Sequence, residues 1–242
     1  MPHFFISSKN IDNNQISIND SENYHHIARS LRIRKGERLL LIDENKIQYE
    51  TIVDEIDKKE IIVKIISKHK SERELPFNLY LAQSPLRSDA QNFVIEKATE
   101  LGVKGVYPVH TDNCAVKENI IDMKTDKWQK IMYEASKQCE RADIPTCFER
   151  STLDCLIKKY NKIFVFCERI ATKTLKEVEP LKKDENVLVI IGPEGGFSQR
   201  EFDLFNSNKL EMLTLGDLIL KAETAVTVGL GNIIYEFTTR NK

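Results

Sequence analysis

The run from Val187 to Ile191 is apolar at every position, and glycines follow it at 192, 195 and 196. An uninterrupted apolar run is typical of a strand buried on both faces, as in parallel sheets covered by helices. Ser198 and Glu201 have the spacing of a capping box, which predicts a helix directly after the glycines. Because the chain has only nine glycines in 242 residues, their concentration here indicates an unusual backbone conformation.

Strand and helix patterns alternate from residue 77 to the end of the chain. The alternation predicts an α/β domain with a mainly parallel sheet. The predicted strands are 77–83, 105–109, 163–167, 187–191 and 210–215, and the predicted helices are 89–101, 124–140, 198–206 and 222–237.

The first part of the chain has a different pattern. Three β-rich runs, Arg38–Asp43, Ile47–Val53 and Glu60–Ile66, are separated by polar turns and predict a small barrel or meander. The polar stretch 69–75 is followed by Pro76, which favours a linker there. We therefore expect a β domain over residues 1–75 and an α/β domain over residues 76–242.

Composition excludes several classes of protein. The chain is 41% hydrophobic with a net charge of −1, which suits a packed core and gives no overall attraction to nucleic acid or membranes. No run approaches the roughly 18 apolar residues of a membrane span, and residues 1–10 do not resemble a signal peptide. Five cysteines without a CxxC pair argue against structural zinc and favour reduced thiols. These features predict a cytoplasmic protein with no metal and no membrane partner.

The glycine-rich loop Ile191-Gly192-Pro193-Glu194-Gly195-Gly196 is the strongest candidate for a binding site. In open α/β sheets, ligands gather at the carboxyl ends of strands, where glycine lets the backbone approach them closely. The loop is neither a Walker A motif nor the Rossmann GxGxxG, and it lies late in the domain. A tight turn that binds nothing is the alternative reading of the residues.

A second unusual loop, residues 215–225, follows the next predicted strand. The two loops leave neighbouring strand ends, so both are candidates to line one pocket. Leu218, Ile219 and Leu220 are either a wall of that pocket or part of the core.

Two basic features are candidates for contact with phosphate groups. The segment 25–38 is rich in lysine and arginine. Arg141 ends a long predicted helix. The ordinary alternative for the segment 25–38 is a solvated surface. For Arg141 it is an intramolecular salt bridge.

In this order, the motifs closely resemble the RsmE family of bacterial ribosomal RNA methyltransferases, over nearly the whole chain. The matching segments are His26 to Arg32 with 35–37, 96–103, 134–145, Ile191–Phe197 and Leu215–Ala225. The combination of GPEGG with LG…ILxAETA at this spacing is more specific than either motif alone.

The resemblance implies a small N-terminal PUA-like β-barrel domain and a C-terminal SPOUT-type α/β domain with a trefoil knot. It implies a homodimer whose active sites draw on both subunits. It further implies S-adenosylmethionine-dependent methylation of N3 of a specific uridine in 16S rRNA, with a small-subunit particle as the substrate.

Site residues follow from the same resemblance, position by position. The resemblance places Arg141 near the target, and as a mechanistic hypothesis this cation favours the uracil anion. In the same hypothesis Glu194 or Glu223 is the catalytic base; capping of backbone amides is the alternative role for either glutamate. The implied cofactor-binding residues are Glu168, Ile191, Gly192, Pro193, Glu194, Gly195, Gly196, Leu215, Gly216, Ile219, Leu220 and Ala222. The implied RNA-binding residues are His26, Arg29, Arg32, Lys35, Gln138 and Arg141.

The chain departs from the family pattern at three places. Lys221 stands where an arginine is usual, Asn113 stands in a motif that usually carries arginine, and residues 84–87 lack a common lysine. Two other functions are alternatives: an enzyme using phosphate or a nucleotide, and a non-catalytic RNA-binding protein. The first lacks a lysine in the glycine loop, and the second leaves both C-terminal loops unexplained.

Overall fold

The structure is a computed structural model that describes residues 3–71, 73–167 and 169–239. The chain divides into two compact units, one of residues 1–74 with 136–143 and the other of residues 75–135 with 144–242. None of the helices in the described ranges is long and apolar enough to cross a membrane.

The first unit is built on a six-stranded sheet in the described part of the chain. Its strand order is β1-β4-β5-β6-β3-β2, with β1 parallel to β4 and the other pairs antiparallel. The strands are β1 (His3–Phe5), β2 (Ile11–Asp12), β3 (Gln15–Ile18), β4 (Arg38–Ile42), β5 (Ile47–Ile56) and β6 (Ile61–Lys70). Ile16, Ile18, Leu39 and Leu41 are fully buried, because alternate residues of each strand face the core.

A helical segment connects β3 to β4 in this unit. Helix α1 (Ser21–His25) is capped by Asp20, whose carboxylate accepts the Asn23 N–H at 2.8 Å, and a π-helical turn (His26–Ser30) continues it. Ile27 and Ile33 are buried on the sheet, so the basic residues between and after them are left at the surface.

The second unit is a parallel α/β fold, as predicted. Its sheet order is β12-β10-β11-β7-β8-β9, and every pairing is parallel. The elements are β7 (Asn78–Gln83), α2 (Ser88–Glu100), β8 (Gly105–Pro108), α3 (Glu118–Asp122), α4 (Thr125–Gln138), β9 (Thr146–Cys147), α5 (Leu153–Lys159), β10 (Lys162–Phe166), β11 (Asn186–Ile191), α6 (Gln199–Ser207), β12 (Glu211–Leu213) and α7 (Ala222–Thr239).

Strand β11 confirms the interpretation of the apolar run. Val187, Val189 and Ile191 belong to the core on one face of the sheet, together with residues of α2 and α7. Leu188 and Ile190 belong to the core on the other face, with residues of α5 and α6. Both faces are covered along residues 187–191, which explains why all five are apolar.

Three strands end at the same level of the sheet. Phe166, the last residue of β10, is paired in register with Ile191, the last of β11, and with Leu213, the last of β12. The loops that follow these strands therefore begin side by side at one edge.

Candidate functional site

Backbone hydrogen bonds join the loops that follow β10 and β12. The Cys167 N–H donates to the Leu213 carbonyl at 3.1 Å, and the Thr214 N–H donates to the Lys173 carbonyl at 2.9 Å. The loops after β10 and β12 are thus held together beside the glycine-rich loop, as expected for a ligand site at the carboxyl ends of parallel strands.

An open cavity of about 480 Å³ lies among these loops. Its lining comes from the ends of two strands, the glycine-rich loop, the start of α6 and the start of α7. The lining residues are Phe166, Cys167, Arg169, Ile191–Phe197, Phe202, Ile219–Glu223 and Ala225.

The glycine-rich loop is a tight turn that leaves backbone donors free. Gly196 donates its N–H to the Pro193 carbonyl at 2.9 Å and has a φ of 72°, which glycine adopts without steric cost. Within the part of the chain that the structure describes, the N–H groups of Glu194 and Gly195 donate to no acceptor. These donors are available to a ligand.

The loop ends at the capping box predicted from the sequence. The Ser198 N–H donates to the Glu201 carboxylate at 2.8 Å, and the Glu201 N–H donates to the Ser198 hydroxyl at 3.3 Å. The ring of Phe197 lies against the backbone of Gly192, where a Cβ atom would come within 3.1 Å of it. A side chain at Gly192 would therefore displace this wall of the cavity.

The second loop contributes apolar side chains and backbone. Leu218 and Ile219 are 77% and 66% exposed, so neither is part of the core. Ile219 and Leu220 line the cavity, and their N–H groups have no acceptor among the described residues. Gly216 has a φ of 130°, a conformation that side chains rarely permit.

The cavity brings together most of the residues predicted to bind the cofactor. Leu215 and Gly216 support the second loop without lining the cavity, and Glu168 lies outside the described residues. The predicted residues that do line it are Ile191, Gly192, Pro193, Glu194, Gly195, Gly196, Ile219, Leu220 and Ala222. Sequence reasoning missed the aromatic lining residues Phe166, Phe197 and Phe202; aromatic residues directly beside a predicted ligand loop were the available signal.

Comparison with known proteins gives matches over both regions. A family model described as an RNA methyltransferase domain matches residues 73–234, and one described as an RNA methyltransferase PUA domain matches residues 18–66. The chain belongs to the RsmE family of RNA methyltransferases.

Individual relatives agree with the family models. Ribosomal RNA small subunit methyltransferase E of Aquifex aeolicus is 31% identical over 97% of this chain and 100% of its own length. The Bacillus subtilis protein of the same name is 25% identical over 89% of this chain and 88% of its own. A Legionella pneumophila methyltransferase, solved with bound S-adenosylmethionine, is 27% identical with a TM-score of 0.85 over 97% of both chains.

The predicted fold class is confirmed by these matches: a PUA-like domain is followed by the α/β domain of an RsmE-family methyltransferase. The predicted activity class, an RNA methyltransferase, is confirmed with it. The Legionella pneumophila neighbour contains the cofactor predicted for this chain. The trefoil knot remains a prediction.

The three predicted catalytic residues have different surroundings. Glu194 is exposed and Glu223 half-buried, and both line the cavity. Arg141 belongs to the other compact unit and is only 8% exposed. Its Nε and Nη2 donate to Oδ1 of Asp143 at 3.2 and 2.8 Å, so the salt bridge considered from the sequence is present.

The residues predicted to bind RNA are mostly accessible. Arg29, Arg32 and Lys35 are exposed, and Nζ of Lys35 lies 3.5 Å from Oδ1 of Asp54. His26 is half-buried, with its ring edge-on to Phe4. Gln138 is exposed at the end of α4.

No cluster of three or more residues able to hold a metal ion occurs within the described ranges. Among the thiols, burial raises the pKa of Cys147 to about 12, which keeps it protonated at neutral pH.

Proposed function

We propose that the cavity at the ends of β10, β11 and β12 binds S-adenosylmethionine, and that the chain methylates N3 of a specific uridine in 16S rRNA. The observation that carries the proposal is the glycine-rich loop with free backbone donors, placed at the carboxyl edge of a parallel sheet in an RNA methyltransferase domain. The cofactor supplies an electrophilic methyl group.

The residues of the cavity suit this cofactor. A volume of about 480 Å³ falls within the roughly 300–1,000 Å³ of small-molecule sites. Phe166, Phe197 and Ile219 offer apolar surface, and the N–H groups of Glu194, Gly195 and Leu220 offer hydrogen bonds. Apolar walls with a few placed donors fit a ligand that has both an aromatic base and a polar tail.

The chain's own residues would then orient the uridine and move its proton. Uridine N3 must lose a proton for attack, and Glu194 and Glu223 are the carboxylates on the cavity that we assign as candidate acceptors. Arg141 is assigned to favour the uracil anion electrostatically. Holding the reacting atoms in line can contribute roughly 7–11 kcal/mol in favourable cases.

RNA recognition is assigned to the first domain, residues 1–75, and methyl transfer to residues 76–242. His26, Arg29, Arg32, Lys35 and Gln138 are the proposed RNA contacts. Accessible guanidinium and ammonium groups suit phosphate contacts, which dominate affinity for nucleic acids.

We further propose a cytoplasmic homodimer with a knotted second domain, acting on a small-subunit particle. Leu218, Ile219 and Tyr235 are 77%, 66% and 71% exposed. Large apolar side chains at the surface favour an interface with a second copy. In this proposal each subunit contributes residues to the site of its partner.

The test is a comparison of reverse-transcription stops on 16S rRNA with and without the gene. A methyl group at uridine N3 blocks Watson–Crick pairing, so one stop should disappear on deletion and return with the wild-type gene. The Gly195→Val gene should not restore it, because a side chain at Gly195 would collide with Asn113 and push the glycine-rich loop out of its binding shape. An unchanged pattern of stops after deletion would refute the proposed reaction.

A further inference from the structure

The segment that follows β8 lies against the glycine-rich loop without lining the cavity. It is anchored at its start, where the hydroxyls of Thr111 and Ser84 are both buried and lie 2.7 Å apart. Ser84 follows β7, and its N–H donates to the Ile191 carbonyl at 3.2 Å. The segment is therefore fixed to the sheet next to the strand that carries the glycine-rich loop.

Asp112 holds the end of the glycine-rich loop. Its carboxylate accepts hydrogen bonds from the Ser198 hydroxyl at 2.5 Å and from Arg200 Nε and Nη2 at 3.0 and 2.6 Å. Its N–H donates to the Glu201 carboxylate at 3.0 Å. The guanidinium of Arg200, followed by the Ser198 hydroxyl, lowers the pKa of Asp112 to about 2, so the carboxylate is ionised at any working pH.

Asn113 holds the middle of the same loop. Its Nδ2 donates to the Gly196 carbonyl at 3.1 Å and, more weakly, to the Gly195 carbonyl at 3.4 Å. A Cβ atom on Gly195 would lie 3.0 Å from the Cβ of Asn113, so the two residues are in close contact. The Nδ2 amide group of Asn113 thus donates to the carbonyls of both Gly195 and Gly196.

Fixing a carbonyl also fixes the N–H of the same peptide. The peptide unit is planar and trans, so its N–H points away from its carbonyl. With the Gly195 and Gly196 carbonyls held at Asn113, the N–H groups of Gly196 and Phe197 are directed away from Asn113. The Gly196 N–H then donates to the Pro193 carbonyl and closes the turn that carries the free N–H groups of Glu194 and Gly195. The shape of this turn is therefore set in part by a side chain that lies outside the cavity.

We propose that Asn113 and Asp112 are positioning residues that pre-organise the glycine-rich loop and thereby set part of the affinity for S-adenosylmethionine. The inference rests on the proposed cofactor site. A loop held in its binding shape loses less conformational entropy when the ligand binds, so removing the bonds from Asn113 weakens binding without removing a contact to the ligand.

The test uses the full chain and the variant Asn113→Asp, which keeps the size of the side chain and removes the donor. A carboxylate oxygen would then face the two carbonyls. Calorimetric titration with S-adenosylmethionine should show a Kd raised about tenfold, as expected for the loss of two hydrogen bonds. Asn206→Asp is the matched control, because Asn206 is exposed on α6 and its side chain makes no hydrogen bond in the described ranges; its Kd should not change.

The melting temperature and the kinetic constants separate a positioning role from a purely structural one. If Asn113 positions the loop, the melting temperature of Asn113→Asp without cofactor should stay close to that of wild type. The KM for S-adenosylmethionine should rise, while kcat at saturating cofactor and the KM for RNA stay within about twofold. Asn113→Ala removes the donor without adding charge and should weaken binding about fivefold, which tests the proposal if the aspartate variant does not fold.

Two failures are distinguishable. Equal Kd values for wild type, Asn113→Asp and Asn113→Ala would overturn the positioning role and leave the cofactor site standing. A fall in melting temperature and kcat with an unchanged Kd would overturn it as well. Full retention of cofactor binding by Gly192→Val, whose side chain would displace the Phe197 wall of the cavity, would instead count against the proposed site itself.

Discussion

A Cβ atom on Gly229 would lie 2.8 Å from Cε2 of Phe166. Helix α7 therefore passes over the end of β10 with its backbone against the aromatic ring. Because Phe166 also lines the cavity, this contact links the packing of α7 to the wall of the proposed cofactor site.

Gly229→Ala should destabilise the chain. Overpacking in a core costs about 1–3 kcal/mol, which exceeds the gain of about 1 kcal/mol from alanine in a helix. We expect a net loss of about 1 kcal/mol at the middle of that range, seen as a fall of about 2–4 °C in melting temperature. A weaker Kd for S-adenosylmethionine should accompany it, since the Phe166 ring is displaced.

Gly231→Ala is the control in the same helix. A Cβ atom at Gly231 would have no neighbour within 4 Å, so only the helix propensity changes. The melting temperature should rise by about 2 °C. Equal effects of the two substitutions would show that the contact with Phe166 does not decide the outcome.

Arg141→Ala should abolish methylation while leaving the Kd for S-adenosylmethionine nearly unchanged. The substitution removes the cation assigned to the uracil anion, and Arg141 is not among the residues that line the cavity. Methyl transfer to 16S rRNA and calorimetry measure the two effects. Asp143→Asn, which weakens the ion pair and keeps the guanidinium, should retain activity; equal losses in both variants would assign Arg141 a role in folding only.

The contact between Asp112 and Arg200 should show a defined pH dependence. The pKa of Asp112 is depressed to about 2, so its ionised form stabilises the folded chain above the unfolded value of about 3.8. That stabilisation is lost as the pH falls through about 2. The difference in melting temperature between wild type and Asp112→Asn should be constant above pH 5 and shrink below pH 4; a difference that grows at low pH would contradict the assignment.

Arg29→Gln and Arg32→Gln should each weaken RNA binding. Each should also make the binding constant depend less steeply on salt concentration. A lost phosphate contact lowers the slope of log K against log salt by about 0.7–0.9. Filter binding to 16S rRNA at several salt concentrations measures this slope. Lys59→Gln removes an equally exposed charge from the turn between β5 and β6 and should leave the slope unchanged; an equal fall in all three variants would indicate non-specific attraction.

Parts of the site that depend on local sequence could be predicted. The apolar run Val187–Ile191, the glycines after it and the capping box at Ser198 are neighbours in the chain, so strand, loop and helix follow from periodicity and capping alone. The position of the loop at a ligand-binding edge follows from the parallel sheet.

Contacts between residues distant in sequence could not be predicted. Asp112 and Arg200 are 88 residues apart, and nothing in either segment indicates the other. The same holds for Gly229 and Phe166, because the choice of glycine in a helix shows only that something comes close. Such pairs depend on the order of strands in the sheet, in which β11 lies between β10 and β7.

The most direct test of the account is methyl transfer in vitro to small subunits from a strain that lacks the gene. The purified chain and S-adenosylmethionine labelled in the methyl group are incubated with these subunits, and the nucleosides of the 16S rRNA are analysed by mass spectrometry. We expect one labelled 3-methyluridine per 16S rRNA with the wild-type chain and none with Gly195→Val. Label on another atom or another nucleotide, or full transfer by Gly195→Val, would contradict it.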